Sequence, residues 1–250
     1  YFYFPVLYLA KQQAVYHLFT LSAIIYALWR SMKIGIRKVL SYFVDNPEVP
    51  VIMLYSLLFM SIAAKSTLMI GLRHIFPVVV CVAAITAYGF GCLYENVLRK
   101  YSKTRYIILI MLFMMFLSLL GSFPNYISYF NWMSGGTNNG YKIAVDSNYD
   151  WGQDIKLLEK WREENEVDKL YVDLHINPFI PISYYLGSGA EWYKIEKEKK
   201  DLPSGSYLAV SAEIYQKNKY KDLPSQERYS KYEKNQIGRV GKSIFIFKIP

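Results

Sequence analysis

Charged positions divide this chain unevenly, and the gaps between them carry the first structural information. Between Lys11 and Arg30 lie 18 uncharged residues (12–29), and between Glu48 and Lys65 lie 16 (49–64). Between Arg73 and Glu95 lie 21 (74–94), and after Arg105 an apolar run, 106–120, leads into Gly121 and Pro124. A hydrocarbon core about 30 Å thick is crossed by about 20 helical residues. In lipid every backbone amide must bond within its own segment. The four runs therefore predict transmembrane helices at about 12–29, 49–64, 74–98 and 106–122. The second is short, so flanking Glu48 and Lys65 are expected to snorkel to the interface. Four such runs within so short a stretch argue against buried helices of a soluble protein. The positions Ile36, Val39, Leu40 and Phe43, beside Lys33, Arg37 and Lys38, follow helical spacing. They predict either an interfacial helix attracted to anionic lipid or a plain amphipathic connector.

Beyond residue 122 the pattern changes. Residues 123–140 form a linker rich in aromatics and glycine. From 141 the apolar runs become short and β-rich, predicting strands at 141–145, 170–174, 207–212 and 243–249. A helix of about 15 residues is expected between the first two, with Ile155, Leu158 and Trp161 on one face. A second helix should follow Pro181 (182–186) and a third should run near 225–235. The β–α–β order of 141–174 predicts a parallel pair with a right-handed crossover. The fold class expected is thus a polytopic helical membrane region (1–122) followed by a small α/β extracytoplasmic domain (141–250).

Composition sharpens the division. Of 29 Lys and Arg and 20 Asp and Glu, residues 1–122 hold 11 basic and only 3 acidic groups. The surplus behind the net charge of +9 therefore sits in the apolar half. That placement excludes a basic nucleic-acid-binding face. Eight of the 11 basic residues fall in the segments 30–48 and 95–105. Those segments should be cytoplasmic, which places the N-terminus and residues 123–250 outside, with the chain integral to the cell membrane. Cys81 and Cys92 lie 11 residues apart on one predicted helix, too far to pair. The outer half has no cysteine, and no Asn-x-Ser/Thr acceptor occurs in the chain.

Three clusters could carry chemistry. The densest is Asp146-Ser147-Asn148-Tyr149-Asp150-Trp151-Gly152-Gln153-Asp154. Asp150 and Gln153 fit a capping box, and Asp154 suits a helix's first turn. Asp146, Asn148 and Trp151 are left without a structural role by that account, so a polar ligand or acceptor site competes with capping. A calcium loop fits poorly, because position six is Trp151 and position twelve is Leu157. The second cluster is Lys65, Arg73 and His74 between the second and third spans, suited either to a lipid phosphate or to ordinary interfacial anchoring. The third is the linker 123–131 with Trp132 and the turn 135–140, whose Tyr126, Tyr129, Phe130 and Trp132 suit an aromatic belt or a sugar platform. His17 and His175 stand alone. No nucleotide-binding glycine motif, hydrolytic triad or metal-ligand spacing is present.

In order along the chain, Gly71-Leu72-Arg73-His74-Ile75-Phe76-Pro77, Tyr129-Phe130-Asn131, Gly135-Gly136, Asn139-Gly140 and the segment 146–154 form a recognisable series. Gly205-Ser-Tyr-Leu-Ala-Val-Ser211 and Gly241-Lys-Ser-Ile-Phe-Ile-Phe247 complete it. The series resembles the C-terminal half of prokaryotic membrane glycosyltransferases of the dolichyl-phosphate-mannose protein mannosyltransferase type, over roughly residues 65–250. The resemblance implies the membrane glycosyltransferase (GT-C) fold and an inverting transfer from a polyprenyl-phosphate-linked sugar to a glycan, lipid or protein acceptor on the extracytoplasmic face. It implies that Arg73, His74 and Lys65 bind the donor phosphate and that Asp146, Asn148, Asp150 and Trp151 lie near the acceptor. It names no certain cofactor, and no protein metal ligand. Family members carry an acidic base in the first outer loop. Here the apolar half offers only Asp45, Glu48 and Glu95, all expected on the cytoplasmic side. The chain is therefore expected to lack its own base, and the intact protein to carry further N-terminal spans. A non-catalytic membrane-anchored binding or scaffold module is the alternative. A second alternative is an oligosaccharyltransferase-like subunit, since Asp150-Trp151-Gly152 is similar to that enzyme's aromatic–acidic motif.

Overall fold

The computed structural model describes residues 2–67, 71–176, 179, 181–197, 201–224 and 227–250. It separates into two units, residues 1–123 with 130–134, and residues 124–129 with 135–250.

The first unit is helical. Its elements are α1 (Tyr3–Lys11), α2 (Ala14–Ile34), α3 (Ile36–Asp45), α4 (Glu48–Lys65), α5 (Phe76–Asn96) and α6 (Thr104–Gly121). A 3-10 turn, Leu72–Ile75, runs directly into α5, and Pro77 sits in that helix's first turn, where its missing N–H leaves no bond unmade. Among the described residues three helices are long and apolar enough to cross a membrane: Glu48–Lys65, Leu72–Asn96 and Thr104–Gly121. The 21-residue α2 is more polar, with Tyr16, His17, Thr20 and Ser22 in its first half. Gly35, at φ +79°, turns the chain from α2 into the strongly amphipathic α3, none of whose residues is buried.

Packing in this unit is sparse and relies on small side chains. A Cβ added to Gly89 of α5 would lie 3.1 Å from Cβ of Ala23 in α2, so the two backbones approach closely. Phe19 and Phe90 meet edge to face at 4.7 Å beside that contact. At the other end, Phe4 of α1 packs with Ile75 and Val78. The C-terminal carbonyls of α1 are satisfied from far along the chain. Asn131 Nδ2 donates to the oxygens of Leu9 (2.6 Å) and Gln12 (2.8 Å), and its backbone N–H donates to Ala10 (2.9 Å). Phe130, 1% exposed, lies beneath the ammonium of Lys11 at 4.6 Å. Two members of the aromatic linker cluster thus brace a helix end.

The second unit is a small mixed sheet with helices. Its elements are α7 (Ile155–Glu164), β1 (Leu170–Asp173), α8 (Ile182–Leu186), β2 (Ala190–Trp192), β3 (Tyr207–Ser211), α9 (Ala212–Tyr220), β4 (Gln236–Val240) and β5 (Ile244–Lys248). The strand order is β2-β1-β3-β5-β4. β1 pairs in parallel with β2 and β3, whereas β5 is antiparallel to β3 and β4. Alternating side chains supply two cores. Leu170, Val172, Ala209, Ile244 and Ile246 face Ile155 and Leu158 of α7 and Leu186 of α8. On the other face Phe245 and Phe247 meet Tyr215 of α9 at 5.2 and 6.0 Å, and Phe245 meets Tyr141 at 5.0 Å.

Four expectations are corrected here. The strand at 141–145 does not form; Gly140–Lys142 is a 3-10 turn. The short apolar run 141–145 reads as β-rich, but Ala144 is buried while Ile143 is 38% exposed. The β–α–β unit of 141–174 falls with it, and the parallel pairing instead joins β1 to β2 and β3. α7 is 10 residues long, begins at Ile155 and is preceded by Asp154 rather than Asp150. The helix expected near 225–235 is a 3-10 stretch, Tyr229–Asn235, and its first expected positions, 225 and 226, lie outside the described residues.

Candidate functional site

The segment 146–154 lies at the ends of β1 and β3. A Cβ on Gly152 would lie 3.2 Å from Cγ2 of Ile176 and 3.4 Å from the carbonyl oxygen of His175, two residues past β1. His175 N–H donates to Ser211 Oγ (3.0 Å) at the end of β3, which joins the two strand ends. Glu213, two residues further and 1% exposed, lies 3.2 Å from Nε2 of His175 and pairs with Lys217. The carboxyl ends of parallel strands are where open α/β sheets place ligands. His175, Glu213 and Lys217 thus belong to the neighbourhood of the motif, although His175 carried no signal as a lone histidine. The available signal was positional: His175 and Glu213 each follow a predicted strand by a residue or two.

Within the segment, most polar groups bond internally. Asp146 sits at φ +57° and its Oδ1 accepts from Ser147 N–H (2.6 Å). Asn148 is buried and donates to the Val145 oxygen (3.1 Å). This gives Asn148 the structural role that local spacing did not supply. Asp150, 1% exposed, accepts at Oδ1 from Gly152 N–H (2.9 Å), so it closes a turn rather than capping α7. Gln153 Oε1 accepts from Trp151 N–H (2.7 Å), and its amide donates to the Tyr149 oxygen and Ser128 Oγ. The expected capping box is replaced by this loop. Asp154, 2% exposed, reaches 88 and 89 residues along the chain: its Oδ2 accepts from Lys242 N–H (2.8 Å), Ser243 N–H (2.9 Å) and Ser243 Oγ (2.9 Å). A Cβ on Gly241 would collide with that carboxylate, so only glycine fits there. Trp151 is the outlier, 58% exposed.

Burial pushes the Asp150 carboxyl up to about 7. The bond from Gly152 N–H and the neighbouring Ser243 hydroxyl dipole hold it down in part, while the nearby charges of Asp154 and Glu213 add to the rise. The neighbourhood therefore presents an exposed indole and a half-exposed imidazole around carboxyls that are largely committed to the fold.

In the helical unit, Arg73 and His74 lie in the 3-10 turn that leads into α5, and Lys65 stands at the end of α4. Lys65 is exposed, as is Arg73. Ile75, fully buried against Phe4 and Val78, fixes the turn that carries Arg73 and His74. His74 Nε2 is buried and finds no hydrogen-bond partner among the described residues. Tyr126 and Trp132, from the aromatic cluster, are 47% and 76% exposed. Among the described residues no group of three or more His, Cys, Asp or Glu side chains could hold a metal ion.

Comparison with protein-family models, with curated proteins and with solved structures yields no match for this chain.

Proposed function

We propose that this chain forms part of an integral-membrane glycosyltransferase that moves a sugar from a polyprenyl-phosphate donor to an acceptor on the extracytoplasmic face. In this reading α2 is a fourth span beside the three long apolar helices. The basic segments 30–48 and 95–105 then face the cytoplasm, and the sheet unit lies outside. Lys65, Arg73 and His74 fall on that outer side.

The observation that carries the reading is the pair at the entrance to α5. Arg73 is exposed, and beside it His74 presents a buried ring nitrogen with no protein partner among the described residues. A phosphate oxygen would satisfy that nitrogen, and the arginine fork would take two more. These groups would stabilise the charge that develops on the lipid phosphate as it departs. A carboxylate must accept the proton of the acceptor hydroxyl. Asp45, Glu48 and Glu95 stand on the opposite side in this topology, so the reading assigns this chain binding roles and not the base. Trp151 is the acceptor-facing candidate, while Asp146, Asn148 and Asp150 shape the loop that presents it.

The test is sugar transfer by the intact protein carrying Arg73→Ala. Loss of a bidentate phosphate contact is expected to weaken donor use about 10- to 100-fold, with acceptor affinity retained. An unchanged donor KM and rate would remove Arg73 from the phosphate site. The internal bonding of 146–154 favours a second reading for the sheet unit alone, as a binding or scaffold module without catalysis. Trp151→Ala separates the two, since a pure scaffold loses no transfer rate.

A further inference from the structure

The helical unit contains a cavity of about 630 Å³ between α2, α5 and α6. That is a ligand-sized volume, and its walls are almost entirely apolar, among them Phe19, Phe90, Leu109 and Leu112. Polar groups sit only at its two ends. At one end Thr86 Oγ1 lies 3.1 Å from Thr20 Oγ1 and 3.5 Å from the Tyr16 hydroxyl, a cluster that bonds to itself. An apolar space of this kind holds water poorly, because water needs two or more polar partners. At the other end are Tyr94 and Arg105, about 12 Å along the helix axis from Thr86.

Arg105 donates to the Tyr106 hydroxyl (2.8 Å) and lies over that ring at 4.7 Å, which among the described residues uses one of its five donors. It closes a basic stretch that also holds Arg99, Lys100 and Lys103, against the one acid Glu95, which pairs with Arg99. Along the cavity's third wall, α6 has no buried residue, and Gln13 Nε2, just before α2, donates to the Met115 oxygen (3.2 Å). A cleft that is apolar in depth and cationic at one mouth matches an amphiphile with a fatty chain and an anionic head.

We propose that this cleft binds one anionic phospholipid, its acyl chain between α2, α5 and α6 and its phosphate at Arg105. The lipid would complete the packing of α6 and tie that helix to the leaflet at the basic end. The proposal is independent of the glycosyl-transfer reading and concerns the opposite end of α5 from Arg73 and His74.

The experiment is native mass spectrometry of the intact protein, titrated with phosphatidylglycerol, with phosphatidylcholine and with glycerol 3-phosphate as a chainless phosphate. Gly91 lines the cavity, and open space surrounds its added Cβ, so Gly91→Phe is expected to occlude the cleft without a backbone clash. The wild-type protein should retain one more phosphatidylglycerol than Gly91→Phe. Arg105→Gln alters an exposed side chain and should lower the preference for phosphatidylglycerol over phosphatidylcholine about fivefold. Equal lipid retention by wild type and Gly91→Phe overturns the site. Displacement by glycerol 3-phosphate overturns the acyl chain's role. A wild-type dimer that Gly91→Phe abolishes overturns it in favour of a second copy in the cleft. Should Gly91→Phe fail to fold, an unchanged lipid preference in Arg105→Gln overturns the headgroup assignment.

Discussion

The two units use the same apolar residue types in opposite ways. In α6, Leu109, Phe113 and Leu117 are about half exposed and no residue is buried. In β5, Phe245, Ile246 and Phe247 are at most 1% exposed. A sheet that folds in water must bury its apolar face, whereas helices in hydrocarbon have no such demand. Polar groups differ in the same sense. Asp154 of the sheet unit is buried and makes three hydrogen bonds across the fold, while the hydroxyls of Thr20 and Thr86 make side-chain contacts between two helices. Tertiary structure in the first unit rests on close backbone approach and shape. In the second it rests on a filled core and on carboxylates that fasten distant loops.

The sharpest way to break this comparison is Asp154→Ala. The change strands two backbone N–H groups and one hydroxyl in the turn between β4 and β5. Each bond to a charged acceptor is worth about 1.5–3 kcal/mol, with relaxation and water recovering part of the sum. The sheet is expected to lose about 4 kcal/mol, measured as hydrogen-exchange protection of the β3 and β5 amides in the purified protein. Unchanged protection would mean that the turn is held by the remaining contacts, Tyr149 Oη donating to Lys242 and Ala212 N–H donating to Ser243.

Asp150→Asn tests a second buried carboxyl of the same loop and has the opposite sign. The folded group keeps its proton to about pH 7, while the unfolded one releases it near 3.8. Stability from this group is therefore fully present below about pH 4 and is lost as the pH rises towards 7. Asparagine keeps the oxygen that accepts from Gly152 and cannot ionise. At pH 8 the variant should be more stable by about 2 kcal/mol, roughly half the ceiling that such a shift sets. At pH 4 the gain should vanish. A pH-independent difference between the two proteins would show that Asp150 does not titrate in this range.

Legibility in the sequence followed the length scale of each interaction. The long apolar runs predicted α4, α5 and α6 closely, and all three are long and apolar enough to cross a membrane. Pro181 marked α8, and the runs 170–174, 207–212 and 243–249 each contained a strand. Elements without an apolar signature were missed. β2 has three residues and is largely exposed, and β4 is a polar edge strand. α9 buries polar side chains, Glu213, Gln216 and Asn218, so no apolar stripe announces it. Asn218 earns its burial by accepting from Tyr229 N–H and donating to the Glu227 oxygen. The motif 146–154 stood out as chemistry-bearing, but its main partner, the turn at 242–243, is 88 residues away and invisible to local spacing. The convergence of His175 and Glu213 was hidden for the same reason, since topology and not sequence proximity joins the ends of β1 and β3.

The smallest expected effect lies in the helical unit and completes the contrast. Thr86→Val keeps the shape of the side chain and removes the hydroxyl that meets Thr20 Oγ1 at 3.1 Å. In water such a buried loss would strand a polar partner. Within a bundle surrounded by hydrocarbon, hydrogen bonds between helices average about 0.6 kcal/mol, because the separated helices also find partners for these groups. Thr20 Oγ1 also has one such partner already, since it donates to the Tyr16 carbonyl of its own helix (3.2 Å). The variant should therefore change unfolding in mild detergent by no more than about 0.6 kcal/mol, several-fold less than Asp154→Ala. Pairing it with Thr20→Val in a double-mutant cycle isolates the contact from the effect of each methyl. A coupling energy as large as the Asp154 effect would show that α2 and α5 are held by buried polar bonds after all, and the distinction between the two units would fail at the place where it is most direct.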